Sequence, residues 1–140
     1  MTPEEQLERI LASLVARPEV LEAYVFGSYA RGDARAHSDL DIAVFVATKP
    51  DGAFGYAAEL TTDVMAAARR NDVDVVILND APPMLYHRVL RDGRRLFARD
   101  LVATTGREGR ALSRYCDYLS QLKKIDAVAA ARTRRGALGR

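Results

Sequence analysis

The chain has 140 residues, of which 49% are hydrophobic and 29% are charged, and its formal net charge is +2. This length and composition predict one soluble globular domain and exclude wholesale disorder. The small net charge also excludes the strongly basic balance that is typical of many nucleic-acid-binding proteins, so we expect no direct nucleic-acid partner.

The charge is distributed unevenly along the chain. Residues 1–100 carry 12 Lys/Arg and 16 Asp/Glu, whereas residues 101–140 carry 9 and 3. A basic C-terminal segment on a mildly acidic body favours an acidic partner or nucleic acid, and it is equally typical of a solvated helix with a frayed basic tail. Both interpretations stay open on the sequence alone.

The single cysteine, Cys116, excludes an intramolecular disulfide, which fits a reducing cytoplasm. No apolar run approaches the roughly 20 residues that a membrane-spanning helix needs. The N-terminus is acidic and amphipathic, unlike a signal peptide. We therefore expect a cytoplasmic protein without a membrane partner.

Helical and strand patterns alternate along the chain. The predicted helices cover residues 2–17, 54–70, 82–91 and 108–132, and the predicted strands cover residues 22–26, 39–47, 73–78 and 95–98. The first helix starts at a capping box formed by Thr2 and Glu5. This order predicts an α/β fold of the α+β type, in which helices pack on a small mixed sheet. We expect one domain over residues 1–132 and a flexible basic tail over residues 133–140.

Two aspartates stand at the start of the second predicted strand. Asp39 and Asp41 are two residues apart, so both side chains point to one side of the strand, about 6.6 Å from each other along the chain. Close carboxylates repel each other, and a hard divalent cation such as Mg²⁺ offsets that repulsion. An isolated Asp-x-Asp pair is also common on strands with one wet face.

A Gly-Ser turn precedes this pair and makes the metal-site interpretation more specific. Gly27 lets the backbone approach a ligand closely, and Ser28 adds a hydroxyl next to backbone N–H groups that can bind anionic oxygens. Arg31 can neutralise phosphate charge. A phosphate-binding turn beside a carboxylate pair is what nucleotidyl transfer requires.

A third carboxylate is expected from the third strand. Asp74 is the best candidate because it lies in a strand otherwise made of Val, Ile and Leu, where an unpaired charge is costly. Asp72 shares its face at the start of the strand, and Asp80 lies beyond the strand end, so both remain rivals. If the second and third strands are neighbours, the three carboxylates can hold two cations, which would activate an attacking hydroxyl and stabilise a leaving pyrophosphate.

The combined pattern resembles a known family. Gly27-Ser28, ten intervening residues, Asp39-Leu40-Asp41 and a later Asp74 resemble the nucleotidyltransferase superfamily of the DNA polymerase β type. The string GSYARGDARAHSDLDIAVF is similar in particular to the minimal nucleotidyltransferases, which are the antitoxin halves of HEPN/MNT toxin–antitoxin modules, and the similarity extends through residues 73–100.

This resemblance implies a function and a set of roles. It implies Mg²⁺-dependent transfer of AMP from ATP to a tyrosine of a partner HEPN ribonuclease toxin. Phosphate binding would fall to Gly27 and Ser28, with Arg31 at a position that is often basic in the family. Asp39 and Asp41 would bind Mg²⁺, and Asp74 would complete the site and activate the acceptor hydroxyl.

Two other functions remain open on the sequence. The chain could be a non-catalytic, nucleotide-binding antitoxin that neutralises its partner by docking, or it could transfer nucleotides to a small molecule such as an aminoglycoside. A homo-oligomer and a hetero-oligomer with the toxin both stay open. The last predicted helix carries an apolar stripe that fits either the core or a partner surface: Leu112, Tyr115, Leu119, Leu122 and Ile125. Tyr118 adds to the possible partner surface, whereas we interpret His87 as a structural or surface residue and Cys116 as a small packing residue.

Overall fold

The computed structural model describes residues 1–27, 30, 39–48 and 53–138, and it gives the backbone alone at residues 53, 54, 137 and 138. Its elements follow in chain order: α1 (Pro3–Val15), β1 (Val20–Phe26), β2 (Leu40–Val46), α2 (Ala53–Ala68), β3 (Val73–Ile77), a 3₁₀ turn (Leu78–Asp80), α3 (Pro83–Asp92), β4 (Arg94–Ala98) and α4 (Leu101–Leu138). The predicted alternation of helices and strands is confirmed.

The four strands form one mixed sheet in the order β3-β2-β1-β4. β1 pairs antiparallel with both β2 and β4, whereas β2 and β3 are parallel. The parallel pair requires a crossover, which α2 supplies. The second and third strands are therefore neighbours, which is the condition under which Asp74 joins Asp39 and Asp41.

Each face of the sheet packs against a different pair of helices. Along β2, Leu40, Ile42 and Val44 lie in a cluster with apolar residues of α1 and α2. The intervening residues face the other way, where Ala43 packs with residues of α3 and α4. This second face also carries Asp41, so α3 and α4 form the helical layer on the side of the candidate site.

Helix α1 begins as the sequence predicts. The Glu5 backbone N–H donates to Thr2 Oγ1, and the Thr2 backbone N–H donates to Glu5 Oε2, each at 3.1 Å. This reciprocal capping box satisfies two of the N–H groups that a helix start leaves unpaired.

Helix α4 is longer than the sequence predicts at both ends. It begins at Leu101 because the Asp100 carboxylate accepts hydrogen bonds from the backbone N–H groups of Val102 and Ala103, at 3.1 and 3.3 Å. It continues to Leu138, so no helix end marks the expected domain boundary after residue 132. That residues 133–140 form a flexible tail stays a prediction. At about 1.5 Å per residue, α4 is about 57 Å long.

A buried carboxylate ties α4 to the sheet. Glu22 of β1 is fully buried and accepts hydrogen bonds from Thr104 Oγ1 at 2.9 Å and from Arg107 Nε at 2.7 Å. One turn further, Glu108 accepts a hydrogen bond from the Tyr24 hydroxyl at 2.7 Å. Buried charges are tolerated when they are paired in this way. Among the described residues, none of the helices combines the length and apolar content that crossing a membrane would require.

Candidate active site

The turn after β1 brings the backbone against a carboxylate. Gly27 has a φ of 72°, in the left-handed region that favours glycine. Its neighbour Phe26 lies opposite Asp41 in the antiparallel register. A Cβ built on Gly27 would fall well inside van der Waals contact with Asp41 Oδ2. The glycine is therefore required both by the backbone conformation and by the space that Asp41 occupies.

The parallel pairing of β2 and β3 brings two aspartates side by side. Asp41 is the register partner of Asp74, at the end of the sheet next to Gly27. Asp41 is half-buried, and Asp74 is exposed. Asp39 is also exposed and lies immediately before β2, which starts at Leu40 rather than at the predicted residue 39. The structure therefore brings together the carboxylate positions that strand alternation predicts.

The electrostatic environment of Asp41 reflects this grouping. Burial raises the pKa of the Asp41 carboxyl, and the negative charges of Asp74 and Asp39 raise it further. The positive charge of Arg88 acts in the opposite direction. Asp74 and Asp39 thus both repel the Asp41 carboxylate, and a cation placed beside it would relieve the repulsion.

Arg88 is a candidate site residue that the sequence reasoning missed. It lies on α3, is exposed, and has no carboxylate within ion-pair distance in the described part of the chain. Its charge reaches Asp41 strongly enough to oppose the rise of that pKa. The sequence signal is weak, because one arginine on a helix is ordinarily a solvated surface residue.

The rival acidic residues occupy different environments. Asp72 pairs with Arg70, whose Nε donates to Asp72 Oδ1 at 2.5 Å, and this hydrogen bond lowers the pKa of Asp72. Asp80 lies in the 3₁₀ turn after β3, at the end of the strand remote from Asp74. Among the three candidates, only Asp74 is in register with Asp41. The geometry therefore favours Asp74 as the third carboxylate.

Comparison with protein families identifies the family to which this chain belongs. The model of a family described as polymerase beta, nucleotidyltransferase matches residues 6–101. The chain belongs to this nucleotidyltransferase family. The matched region contains Gly27, Asp39, Asp41 and Asp74, together with all four strands of the sheet.

Individual relatives of this nucleotidyltransferase are known. The protein adenylyltransferase MntA of Shewanella oneidensis is 36% identical over 80 residues, which are 57% of this chain and 55% of that protein. The match thus spans about half the length of the curated relative. A crystal structure of a toxin–antitoxin with AMP-PNP superposes with a TM-score of 0.74 at 26% identity, covering 89% of this chain and 98% of that chain.

A second solved structure shows the same fold. It is the complex of a tri-AMPylated Shewanella oneidensis HEPN toxin with an MNT antitoxin, and it matches with a TM-score of 0.73 at 24% identity. The match covers 92% of this chain and 99% of that chain. The mixed-sheet nucleotidyltransferase fold predicted from the sequence is therefore confirmed.

The residues of this nucleotidyltransferase fit a hard divalent cation. Within the described residues, no three His, Cys, Asp or Glu side chains are close enough to form a metal-binding group as they stand. The adjacent Asp41 and Asp74 nevertheless offer carboxylate oxygens, and burial together with the charge of Asp74 raises the pKa of Asp41. Carboxylate oxygens are ligands that Mg²⁺ prefers. Asp39, Asp41 and Asp74 as metal ligands remain a prediction, as does the number of ions.

Two predicted phosphate-binding residues cannot be placed. Ser28 and Arg31 both lie outside the described residues. Of the predicted phosphate-binding set, only Gly27 has a described position, adjoining Asp41. The predicted roles of all three residues stay predictions.

Proposed function

We propose that this nucleotidyltransferase transfers AMP from ATP to a tyrosine of a partner HEPN ribonuclease toxin and acts as the antitoxin of that toxin. The observation that carries the proposal is the juxtaposition of Asp41 with Asp74 and with Gly27 at one end of the sheet. The similarity to MntA, a protein adenylyltransferase, supports the reaction class. The AMP-PNP in a similar structure supports an adenine nucleotide as the donor.

The reaction forms one bond and breaks one bond. The tyrosine oxygen attacks the α-phosphorus of ATP, the bond from that phosphorus to the bridging oxygen of the β-phosphate breaks, and pyrophosphate leaves. Asp74 is placed at the exposed edge of the carboxylate group, where it would accept the proton of the tyrosine hydroxyl. Gly27 lets the triphosphate approach the backbone because no side chain intervenes.

Other residues of the site would bind and orient the donor. Asp39, Asp41 and Asp74 would hold Mg²⁺, which when bound would neutralise phosphate charge and lower the pKa of the attacking hydroxyl. Ser28 and Arg31 would contact the phosphates. Arg88 adds a positive charge on the α3 side of the site. The main contribution of this chain is positioning and charge stabilisation.

Intact-mass measurement of the partner tests the proposal. We expect the cognate HEPN protein to gain AMP units on incubation with ATP, Mg²⁺ and this chain. The Asp39→Asn/Asp41→Asn variant and the Asp74→Asn variant should each transfer at least about 100-fold more slowly. Asp80→Asn, which removes an acidic group at the other end of β3, should transfer at the unsubstituted rate. No mass gain while the two proteins form a complex would disprove the reaction.

Docking without chemistry is a second candidate function. The exposed apolar side chains of α4 favour it, since Ile125 is 62% exposed and Leu119 is 36% exposed. If docking suffices, Asp39→Asn/Asp41→Asn should neutralise the toxin in cells as well as the unsubstituted chain does. Loss of neutralisation by a variant that still forms the complex would show that AMP transfer is required.

A further inference from the structure

A cavity lies on the same face of the sheet as the carboxylates, at the opposite end of β2. Its volume is about 550 Å³. It is lined from β2, the segment after β3, α3 and α4 by these residues: Phe45, Asn79, Tyr86, Arg107, Arg110, Ser113 and Arg114. None of these lining residues is acidic, and three of them are arginines of one helix.

The cavity is separate from the carboxylate group. Phe45 lies four positions after Asp41 in β2, which corresponds to about 13 Å along an extended strand. Between them on the same face, Ala43 is fully buried and belongs to a cluster with Tyr86 and Val89 of α3. Packed core therefore fills the space between the two ends of β2, and a ligand in the cavity does not occupy the carboxylate site.

The arginines give this cavity an uncompensated positive charge. Arg107 is bound to the buried Glu22, which neutralises it. Arg110 and Arg114 are exposed, and no carboxylate of the described residues lies within ion-pair distance of either. They stand four residues apart on α4, so both guanidinium groups project from one side of the helix. Two positive charges thus face the cavity without a partner in the described chain.

A buried hydroxyl at the cavity wall also lacks a partner. Tyr86 is 1% exposed, and within the described residues its hydroxyl oxygen has no hydrogen-bond partner. The Arg114 guanidinium lies over the Tyr86 ring, 5.9 Å from its centroid. Asn79, by contrast, is already satisfied, because its amide bonds both the N–H and the C=O of Val46, at 3.0 and 2.8 Å. The available hydrogen-bond donors are therefore the Tyr86 hydroxyl, the two free arginines and Ser113.

We propose that this cavity is a second, non-catalytic binding site for a phosphate group, carried by a ligand of mononucleotide size or free in solution. Arg110 and Arg114 would bind the phosphate, since guanidinium groups match phosphate oxygens in charge and geometry. Two unpaired positive charges match the charge of a phosphomonoester near neutral pH. The Tyr86 hydroxyl donates the additional hydrogen bond, and the Phe45 ring provides apolar surface. The volume lies within the range of small-ligand sites.

Titration of the full chain with AMP in the presence of a chelator tests this proposal. Removing divalent cations disfavours binding at the carboxylate site. By calorimetry we expect one AMP per chain, and the complex should weaken at least about tenfold in Arg110→Gln/Arg114→Gln. The matched control, Arg134→Gln/Arg135→Gln, removes the same charge from exposed positions of α4 outside the cavity and should bind AMP normally. Asp39→Asn/Asp41→Asn should also bind normally.

Two further titrations identify the recognised group. Inorganic phosphate that competes with AMP as strongly as unlabelled AMP would assign the site to free phosphate, whereas weaker competition assigns it to a nucleotide; both results support recognition of the phosphate. Tyr86→Phe should weaken AMP binding a few-fold without lowering the melting temperature, because it removes only an unpaired hydroxyl.

Three results would overturn the proposal. The first is that neither AMP nor phosphate binds in the chelator. The second is that adenosine binds as tightly as AMP, since the phosphate would then contribute nothing. The third is that AMP binding survives in Arg110→Gln/Arg114→Gln but is lost in Asp39→Asn/Asp41→Asn, since the ligand would then occupy the carboxylate site.

Discussion

At Gly27 the backbone passes so close to Asp41 that no side chain fits between them. In Gly27→Ala, the methyl group would have to displace the Asp41 carboxylate, and alanine at a φ of 72° adds backbone strain. We expect the free energy of unfolding to fall by about 1–2 kcal/mol and AMP transfer to slow by at least about 100-fold. Urea denaturation and a transfer assay measure the two effects.

The control for this substitution is another glycine. A Cβ on Gly109 of α4 meets no atom within 4 Å, so Gly109→Ala should raise stability by roughly 0.5–1 kcal/mol and leave transfer unchanged. Equal transfer rates for Gly27→Ala and the unsubstituted chain would show that the contact with Asp41 does not matter for the reaction.

Substitution of Arg88, unlike that of Gly27, should affect function without affecting stability. It is exposed and unpaired in the described chain, but its charge acts on Asp41. We expect Arg88→Gln to lower kcat/KM for ATP by about tenfold, equivalent to about 1.4 kcal/mol, with the free energy of unfolding unchanged to within about 0.5 kcal/mol. Arg134→Gln serves as the matched charge control. A kcat/KM for Arg88→Gln equal to that of the control would exclude Arg88 from the site.

The residues of the site differ in how well the sequence predicts their positions. Strand alternation predicts the face of the sheet on which Asp41 and Asp74 lie, because the apolar residues next to each aspartate in its strand must point into the core. Gly27 is also marked by its place between a strand and the carboxylate pair. Arg88 has no such marker, since its relation to Asp41 depends on how α3 docks on the sheet. The sequence therefore predicts the positions of the carboxylates but not the position of Arg88, whose positive charge acts on Asp41.

Among the elements, α4 is fixed to the sheet by the buried Glu22–Arg107 pair. Arg107→Met would leave the Glu22 carboxylate buried, with Thr104 as its one remaining hydrogen-bond donor among the described residues. We expect this variant to lose about 3–5 kcal/mol of stability in urea denaturation, because it leaves the buried Glu22 charge unpaired. The double variant Glu22→Gln/Arg107→Met should lose less than the sum of its two single variants. Additive losses would show that the pair is not coupled.

The same pair explains where element-level prediction fails. Glu22 lies in a short strand, and a charged residue there ordinarily marks an exposed position. Its burial depends on Arg107, which is 85 residues away in the sequence. The sequence also predicts too late a start for the last helix, because Gly106 and Gly109 weaken the helical pattern there. In the structure, Asp100 caps this segment and Glu22 binds it to the sheet. Local patterns carry no information about such distant partners.

At the scale of the whole molecule, α4 extends beyond the part of the helix that anchors to the sheet. Tyr115 stacks on His87 of α3, with ring centroids 3.6 Å apart, so this member of the predicted stripe packs within the chain. Further along, Ile125 and Val128 are 62% and 49% exposed. Basic residues flank them, including Lys124 and Arg132. Tyr115 of the stripe thus packs against α3, whereas Leu112, Leu119 and Ile125 of the stripe are exposed.

We expect substitutions on this exposed surface to change the affinity for the partner without changing the rate of AMP transfer. If the toxin binds here, Ile125→Asp should weaken the complex at least about tenfold, because a charge would replace an apolar contact in the interface. The stability of the free chain should stay within about 0.5 kcal/mol, since Ile125 is exposed. Ser120→Asp adds the same charge on the opposite side of α4 and should bind normally. At saturating toxin, both variants should transfer AMP at the unsubstituted rate because both keep all three carboxylates. Normal affinity of Ile125→Asp, measured by calorimetry, would place the toxin on another surface.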